Sequence, residues 1–367
     1  MSRRLGVAAA LVGDRLLPGD VAVADGRVEA VGLAPAGATG IAAPGLVDVQ
    51  VNGYAGVDVA AADAAELATL HRALARDGVT SFVPTLITGD PDATVAAAER
   101  LAALDETTDR GARSLGTHLE GPWLAPERLG THPAAHRCDP DAAGVERLVA
   151  GHRVVLVTLA PELLGALDAV RRLTAHGVVV LLGHSAATAD AARAGFAAGA
   201  RGVTHLFNAM EPLRGREPGL AGVALTRPDV VVGLVADGHH VAPENVQLAF
   251  AAAPGRVALV TDATAAAGMP DGRYRLGDVP VTLGGGAVRN AEGALAGSAA
   301  TLAGCVRNAV GAGVPVAAAL HAASTTPARL LGRDDVGTLR PGTTADVVVL
   351  TDELVVRRVL LAGQEVS

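Results

Sequence analysis

Eight short apolar segments alternate with alanine-rich segments between residues 45 and 262, and this alternation restricts the folds that the chain can adopt. The apolar segments are rich in β-branched residues and are predicted strands: GLVDVQ (45–50), VTSFVPT (79–85), SLGTHLE (114–120), RVVLVTLA (153–160), VVVLLGH (178–184), GVTHLF (202–207), VVVGLVAD (230–237) and RVALVTD (256–262). Apolar strands separated by helices are typical of a parallel sheet, and eight of them can close into a barrel. We therefore predict an α/β fold, a (β/α)8 TIM-like barrel, for residues 45–339. A doubly wound sheet is the alternative, but no G-x-G-x-x-G fingerprint follows a predicted strand.

The two ends of the chain have a different pattern. Residues 1–44 and 340–367 alternate apolar and polar residues and contain turn sequences such as DGR and PGTTAD. We predict that they form strands and pair into one small β-sandwich domain beside the barrel. A hairpin-like insert, 271–298, follows the eighth predicted strand. The first residues could imitate a signal peptide, but strand-like alternation begins at once, so we predict a folded strand there and a cytoplasmic protein.

Composition excludes several classes of function. No apolar run reaches the ~18 residues of a membrane span, and a net charge of −8 without a basic cluster argues against a nucleic-acid partner. Two cysteines, Cys138 and Cys305, give no disulfide framework. All 30 basic residues other than histidine are arginine. The lack of lysine excludes Schiff-base chemistry, a P-loop, a Ser-x-x-Lys nucleophile and a carbamylated lysine between two metals.

Polar residues follow the predicted strands, at the carboxyl ends where barrel enzymes place their active sites. In chain order they are Gln50, Asn52, Glu120, His184, His205, Asp237, His239, His240 and Asp262. Glu120 ends an apolar strand, so its carboxylate must be paired, protonated or bound. Glu120, His184 and His205 are predicted to hold one divalent metal with open positions, and Zn²⁺ and Fe²⁺ both suit this set.

Other polar residues have two interpretations each. Asp262 could be an ordinary turn residue, or a general base for a water molecule at the metal. His132 lies in a predicted loop and could be exposed, or could donate a hydrogen bond to a developing oxyanion. His118 is predicted to support the site or to pack in the barrel.

Taken together, the motifs resemble the amidohydrolase superfamily and, within it, the family of N-acetylglucosamine-6-phosphate deacetylases. The resemblance covers almost the whole chain and is carried by APGLVDVQVNG, HLEGPW, GTH, GHSAAT, THLFNAM, GREPGLAG, ADGHHV and VTDATAAAG, in this order. HLEGPW followed by THLFNAM is specific to the family, whereas PGLVD marks only the superfamily.

The resemblance implies removal of an N-acetyl group from a phosphorylated amino sugar, with Glu120, His184 and His205 as metal ligands. Asp262 would be the catalytic acid/base, and His132 would polarise the acetyl carbonyl. Asn208, Ala209, Arg216 and His240 would bind the phosphate, across the interface of a homodimer. An ion pair with Glu217 is an alternative for Arg216.

One departure concerns the first strand. Many amidohydrolases carry H-x-H there for a second metal, whereas this chain has Gln50-Val51-Asn52. We therefore predict a single metal, with Gln50 and Asn52 as supporting residues or the remnant of a second site. Three alternatives stay open: the galactosamine epimer as substrate, an N-acyl-amino-acid deacylase, and an inactive barrel that only binds sugar.

Overall fold

The computed structural model describes residues 2–105, 111–149 and 153–366, and its central element is a parallel barrel. The eight barrel strands are Leu46–Val51, Val79–Ile87, Thr117–Glu120, Val154–Leu159, Val179–Leu182, Gly202–Val203, Val231–Val235 and Val257–Val260. Each pairs in parallel with the next along the chain. A parallel bridge between Val51 and Ala263 brings the eighth strand back to the first. The predicted barrel is confirmed.

Helices cover the outside of the barrel. Their bounds are Ala64–Arg76, Pro91–Asp105, Ala142–Val149, Ala166–Ala175, Ala189–Ala198, Gly219–Thr226, Pro243–Ala252, Leu302–Gly311, Val316–Ala322 and Thr325–Leu330, with 3-10 turns at Pro126–Arg128 and Ala134–His136. The first helix has a capping box, in which Asp63 and Glu66 each accept the other's backbone N–H. The alanine-rich faces let these helices lie close to the barrel. No helix of the described residues is long and apolar enough to cross a membrane.

Most barrel strands are somewhat shorter than predicted, and two of them are irregular. The third is interrupted, so that Arg113–Ser114 and Thr117–Glu120 pair separately with the second strand. Gly116 lies at the interruption with φ +127°, and a Cβ there would come within 2.7 Å of the Arg153 carbonyl oxygen. The sixth strand ends at Val203, because His205 and the residues after it turn back with positive φ angles. Both irregularities come directly before polar residues of the site.

Strands from both termini share one six-stranded sheet. Its order is Gln364–Glu365, Val356–Leu361, Val347–Leu350, Ile41–Pro44, Ala9–Val12 and Arg15–Pro18. A three-stranded sheet of Arg3–Arg4, Asp20–Ala24 and Arg27–Leu33 lies against it, around a core that includes Val21, Ala42 and Val347. The predicted β-sandwich of both termini is thus present, and its boundaries at 44 and 340 stay a prediction.

The predicted insert is a three-stranded antiparallel sheet. Its strands are Gly272–Leu276, Val279–Gly284 and Ala287–Asn290. A two-stranded ribbon, Gly53–Tyr54 with Val57–Asp58, follows the first barrel strand, and its Asp58 accepts a hydrogen bond from the Gly277 N–H at 2.8 Å. The tip of the insert is therefore fixed beside the carboxyl ends of the barrel strands.

Candidate active site

A cavity of about 340 Å³ opens at the carboxyl ends of the barrel strands. Most of the residues that the sequence singled out line it: Asn52, Glu120, His132, His184, His205, Asn208, Ala209, His240 and Asp262. Side chains from separate strands meet here because parallel strands of a barrel all end at the same face. Of the residues predicted to bind substrate, Arg216 alone does not line the cavity of its own chain.

Three side chains converge at the base of this cavity. Glu120 Oε1 lies 3.1 Å from His205 Nε2 and 3.3 Å from His184 Nε2, and the two Nε2 atoms are 3.0 Å apart. Two ligands held ~2.0–2.1 Å from one ion lie roughly 3.0–3.4 Å from each other, so the triangle fits a single metal ion. Among the described residues, this is the one group of His, Cys, Asp and Glu side chains placed to hold an ion.

The tautomer of His184 supports the same interpretation. Its Nδ1–H donates to the Arg128 carbonyl oxygen at 2.8 Å, which leaves the Nε2 lone pair facing Glu120 and His205. Burial alone would raise the pKa of Glu120, but protonated imidazoles of His184 and His205 beside it hold that pKa well below its usual value, and a cation bound here would replace those protons. An ionised carboxylate and imidazole lone pairs directed at one point are the donors that a divalent cation requires.

Asp262 is held beside this triangle by two amides. Asn52 Nδ2 donates to Asp262 Oδ1 at 2.7 Å, and Gln50 Nε2 donates to Asp262 Oδ1 at 3.2 Å and to Glu120 Oε1 at 3.1 Å. Burial and the negative charge of Glu120 raise the pKa of Asp262. The amide hydrogens of Gln50 and Asn52 thus occupy the region between the two carboxylates, where they donate hydrogen bonds.

His132 is buried rather than exposed, and the end of the second strand orients it. The Thr88 N–H donates to His132 Nδ1 at 3.2 Å, and Thr88 Oγ1 lies 2.9 Å from the same nitrogen. Nδ1 is therefore an acceptor, and the proton of the neutral ring is on Nε2, 3.8 Å from Glu120 Oε2. Burial lowers the pKa of His132 to about 3, so the ring is a neutral N–H donor at neutral pH.

His118 lies deeper in the barrel. Its Nδ1 is 3.2 Å from Thr85 Oγ1 and its Nε2 is 2.8 Å from Thr158 Oγ1, and burial lowers its pKa to about 4. Both ring nitrogens have hydroxyl partners, so the prediction that His118 supports the site or packs below it agrees with its position.

The backbone at the site is strained. Positive φ angles occur in residues other than glycine at His184 (47°), His205 (28°), Phe207 (74°), Ala209 (47°) and Asp262 (51°). Such conformations each cost of order 1–3 kcal/mol and tend to cluster at functional sites. The strain is carried by the turns that direct the metal ligands and Asp262 inward.

The predicted phosphate-binding residues divide into two groups. Asn208, Ala209 and His240 line the cavity, and His240 Nδ1 is held by Asp237 Oδ2 at 2.8 Å. The Asn208 N–H already donates to the His205 carbonyl oxygen at 3.0 Å, within its own turn. Arg216 is exposed and has no ion-pair partner among the described residues.

The alternative that Arg216 pairs with Glu217 is wrong. Glu217 Oε1 instead accepts the backbone N–H groups of Ala189, at 2.7 Å, and Gly219, at 3.1 Å.

Some residues in and beside the cavity carried no sequence signal. Arg128 lies within a charged surface-like stretch, and Thr88 follows the apolar end of the second strand. Leu276, Leu295 and Gly297 come from the insert and its return segment. Their roles depend on which loops cover the barrel mouth, and a strand pattern does not contain that information.

Comparisons with known proteins agree with this geometry. The pattern of the Amidohydrolase family matches residues 41–366. The N-acetylgalactosamine-6-phosphate deacetylase of Escherichia coli O157:H7 is 42% identical over 94% of this chain and 94% of its own length. The N-acetylglucosamine-6-phosphate deacetylase of Homo sapiens is 40% identical over 88% of this chain and 83% of its own length.

A solved structure matches the whole fold. It is a variant of the N-acetyl-D-glucosamine-6-phosphate deacetylase from Mycobacterium smegmatis in complex with N-acetyl-D-glucosamine 6-phosphate. The match has a TM-score of 0.92 and 37% identity, and covers 100% of this chain and 99% of that one. From the family pattern and from relatives well above 30% identity along most of the sequence, the chain belongs to the amidohydrolase family.

Proposed function

We propose that this protein is a metal-dependent hydrolase that removes the N-acetyl group of N-acetylglucosamine 6-phosphate, giving glucosamine 6-phosphate and acetate. The observation that carries the proposal is the meeting of Glu120, His184 and His205 at one point, with buried Asp262 held beside them. The relatives with that printed activity, and the substrate in the complex from Mycobacterium smegmatis, supply the substrate class.

Glu120, His184 and His205 would hold one divalent metal ion, Zn²⁺ or Fe²⁺. When bound, such an ion acidifies water and polarises a carbonyl group. The chain does not offer a second complete ligand set among the described residues, and the amides of Gln50 and Asn52 donate hydrogen bonds where further ligands would be needed. These observations support one ion per chain.

Asp262 and His132 divide the proton chemistry. Asp262 accepts a proton from the attacking water and later delivers it to the departing amine, so that the C–N bond breaks as the N–H bond forms. The raised pKa of Asp262 suits a group that must both take and return a proton. His132 donates its Nε2–H to the acetyl oxygen, and Thr88 maintains the tautomer that this requires.

The substrate phosphate is assigned to Asn208, Ala209 and His240, together with Arg216 of a second subunit. Three of these line the cavity, and Arg216 is exposed outside it, a position suited to contact with a partner. We therefore propose a homodimer that shares its phosphate sites. We also place the enzyme in the cytoplasm, because Cys138 is an exposed free thiol.

The galactosamine epimer is a second candidate, since the relative from Escherichia coli O157:H7 that bears its name is 42% identical. Acetate release from N-acetylglucosamine 6-phosphate, N-acetylgalactosamine 6-phosphate and an N-acetyl amino acid separates the candidates. The proposal expects the largest kcat/KM on the first sugar. A preference for the second would identify the epimer, a preference for the third would identify an amino-acid deacylase, and binding without turnover would indicate an inactive barrel.

A further inference from the structure

Arg128 occupies a fixed position at the wall of the cavity. It ends the 3-10 turn Pro126–Arg128, and its carbonyl oxygen accepts the Nδ1–H of His184. Its side chain lines the cavity, and among the described lining residues it is the one with a permanent positive charge. The chain contains no lysine, and Arg214, the other arginine beside Glu211, does not line the cavity.

The guanidinium of Arg128 reaches the loop assigned to the phosphate. One of its terminal nitrogens pairs with Glu211 Oε1, and Glu211 follows Ala209 by two residues. The Arg128 Nε atom is buried and has no hydrogen-bond partner in the described part of the chain. Glu211 therefore leaves at least one guanidinium donor of Arg128 without an acceptor.

The charge balance at this point favours an anion. Without Arg128, the Glu211 carboxylate, two residues after Ala209, would keep only Arg214 as a charge partner, 3.8 Å from Oε2, and would repel a phosphate dianion. With Arg128 in place, the carboxylate is neutralised, and the remaining guanidinium donors can bind phosphate oxygens. A buried donor without a partner is costly and gains an acceptor when the anion is bound.

We propose that Arg128 binds the substrate phosphate from within the same chain, and that Glu211 positions its guanidinium beside the Asn208–Ala209 loop. The inference rests on the proposed function, because it assumes a phosphorylated sugar. Arg128 is thus a specificity-determining residue that distinguishes phosphorylated from unphosphorylated N-acetylglucosamine.

The test compares Arg128→Met, Arg128→Lys and the control Arg193→Met, all as metal-loaded enzyme, on both sugars. Arg193 is an exposed arginine that pairs with Asp190 on a surface helix and does not line the cavity. Arg128→Met should lower kcat/KM on the phosphorylated sugar roughly 10- to 100-fold, the range of charge-assisted hydrogen bonds, and change it little on the unphosphorylated one. Arg128→Lys should fall between, because it keeps the charge without the planar fork.

A second arm isolates Glu211. In the Arg128→Met background, Glu211→Gln should recover part of the activity on the phosphorylated sugar, because it removes a carboxylate that has lost its close partner and keeps only Arg214 at 3.8 Å. If the pair of Arg128 and Glu211 were purely structural, its loss would instead lower the metal content or would lower the turnover of both sugars equally. Such an equal loss, or no loss, would overturn the inference while leaving the proposed function intact. If the wild-type enzyme does not deacetylate the phosphorylated sugar, the proposed function itself fails, and the inference fails with it.

Discussion

Asp262 and Asp48 are buried carboxyl groups of neighbouring strands, and their partners give them different properties. Asp262 lies at the barrel mouth, where the side-chain amides of Gln50 and Asn52 donate to it. Asp48 lies inside the first strand, where Thr261 Oγ1 donates to Oδ2 at 2.6 Å and the Gln50 N–H donates to Oδ1 at 3.2 Å. Asp262 therefore faces the cavity, whereas Asp48 links the first barrel strand to Thr261, directly after the eighth.

Asp262→Asn should keep the fold and the metal but lose most of kcat. The amide is nearly the same size, yet it cannot accept a proton from water, and loss of a general base typically costs ~10²–10⁴-fold. Steady-state kinetics with metal analysis of the same preparation measures both quantities, and KM should change little. Near-normal turnover with metal bound would show that another group is the base.

Asp48→Asn should change how stability depends on pH. Burial raises the pKa of Asp48 from 3.8 to about 7, against the effect of its hydrogen bonds. Because the folded-state pKa is above the unfolded value, this group's stabilising contribution is complete below pH 3.8 and is lost as pH rises through about 7. The free energy of unfolding of wild type should thus fall relative to that of Asp48→Asn as pH rises through this window.

Urea titrations at several pH values measure that difference, and effects of other titrating groups cancel between the two proteins. Asparagine can keep the local bonds, because its amide can donate to Thr261 Oγ1 while that hydroxyl turns to the Gln50 carbonyl oxygen, 3.4 Å away. A difference between the two proteins that does not vary with pH would mean that Asp48 titrates near its ordinary value.

The three-stranded insert contributes one wall of the cavity. Leu276 and Leu295, from the insert and the segment after it, line the same space as the metal-binding side chains. The hydrogen bond from the Gly277 N–H to Asp58 Oδ2 attaches the tip of the insert to the ribbon that follows the first strand. The insert therefore contributes apolar surface to the cavity, although none of its residues belongs to the candidate metal-binding group.

Asp58→Ala should loosen this wall. We expect faster amide hydrogen exchange at Gly277 and a higher KM, because substrate must order the insert when it binds. Asp271→Ala is a suitable control, since Asp271 accepts the Gly285 N–H at 3.3 Å at another turn of the insert. Equal effects of the two substitutions on KM would mean that the tip has no special role.

The sequence predicted elements better than the loops between them. The barrel strands were predictable because each is a short apolar run rich in β-branched residues. Glu120, His184 and His205 were predictable because each is a polar residue at or near the carboxyl end of such a run. The early end of the sixth strand was not, since the predicted strand GVTHLF continues to Phe207, whereas the observed strand ends at Val203 and His205 takes a positive φ. The burial of His132 and the role of Thr88 depend on how a loop folds over the second strand, which periodicity does not encode.

At the scale of the whole molecule, the metal site joins distant parts of the barrel. Glu120 ends the third strand, and His184 and His205 follow the fifth and sixth strands. Gln50 and Asn52 connect the first strand to Asp262 after the eighth. Loss of the ion would leave three mutually close ligand atoms without the charge that offsets their repulsion. The metal should therefore contribute to folding as well as to catalysis.

Elemental analysis should find about one divalent ion per chain, and chelation should lower Tm, because an ion that binds only the folded state stabilises it by mass action. His184→Ala should abolish both the ion and the shift in Tm. His176→Ala is the control, since His176 is an exposed histidine that pairs with Glu146. Two ions per chain, both required for activity, would contradict the single-metal assignment.

The last prediction concerns the proposal that two subunits share each phosphate site. Arg216→Ala should lower kcat/KM on the phosphorylated sugar and leave the unphosphorylated sugar almost unaffected, whichever subunit supplies the arginine. Mixing Arg216→Ala with Asp262→Asn subunits distinguishes the two cases, because a mixed dimer then has one site with both residues intact only if Arg216 acts across the interface. Random exchange of equal amounts should restore about a quarter of the wild-type sites, and activity should exceed the sum of the separate variants.

The same mixture made with Arg128→Met in place of Arg216→Ala should show no such recovery, since Arg128 lines the cavity of its own chain. Recovery with Arg128→Met but not with Arg216→Ala would reverse both assignments.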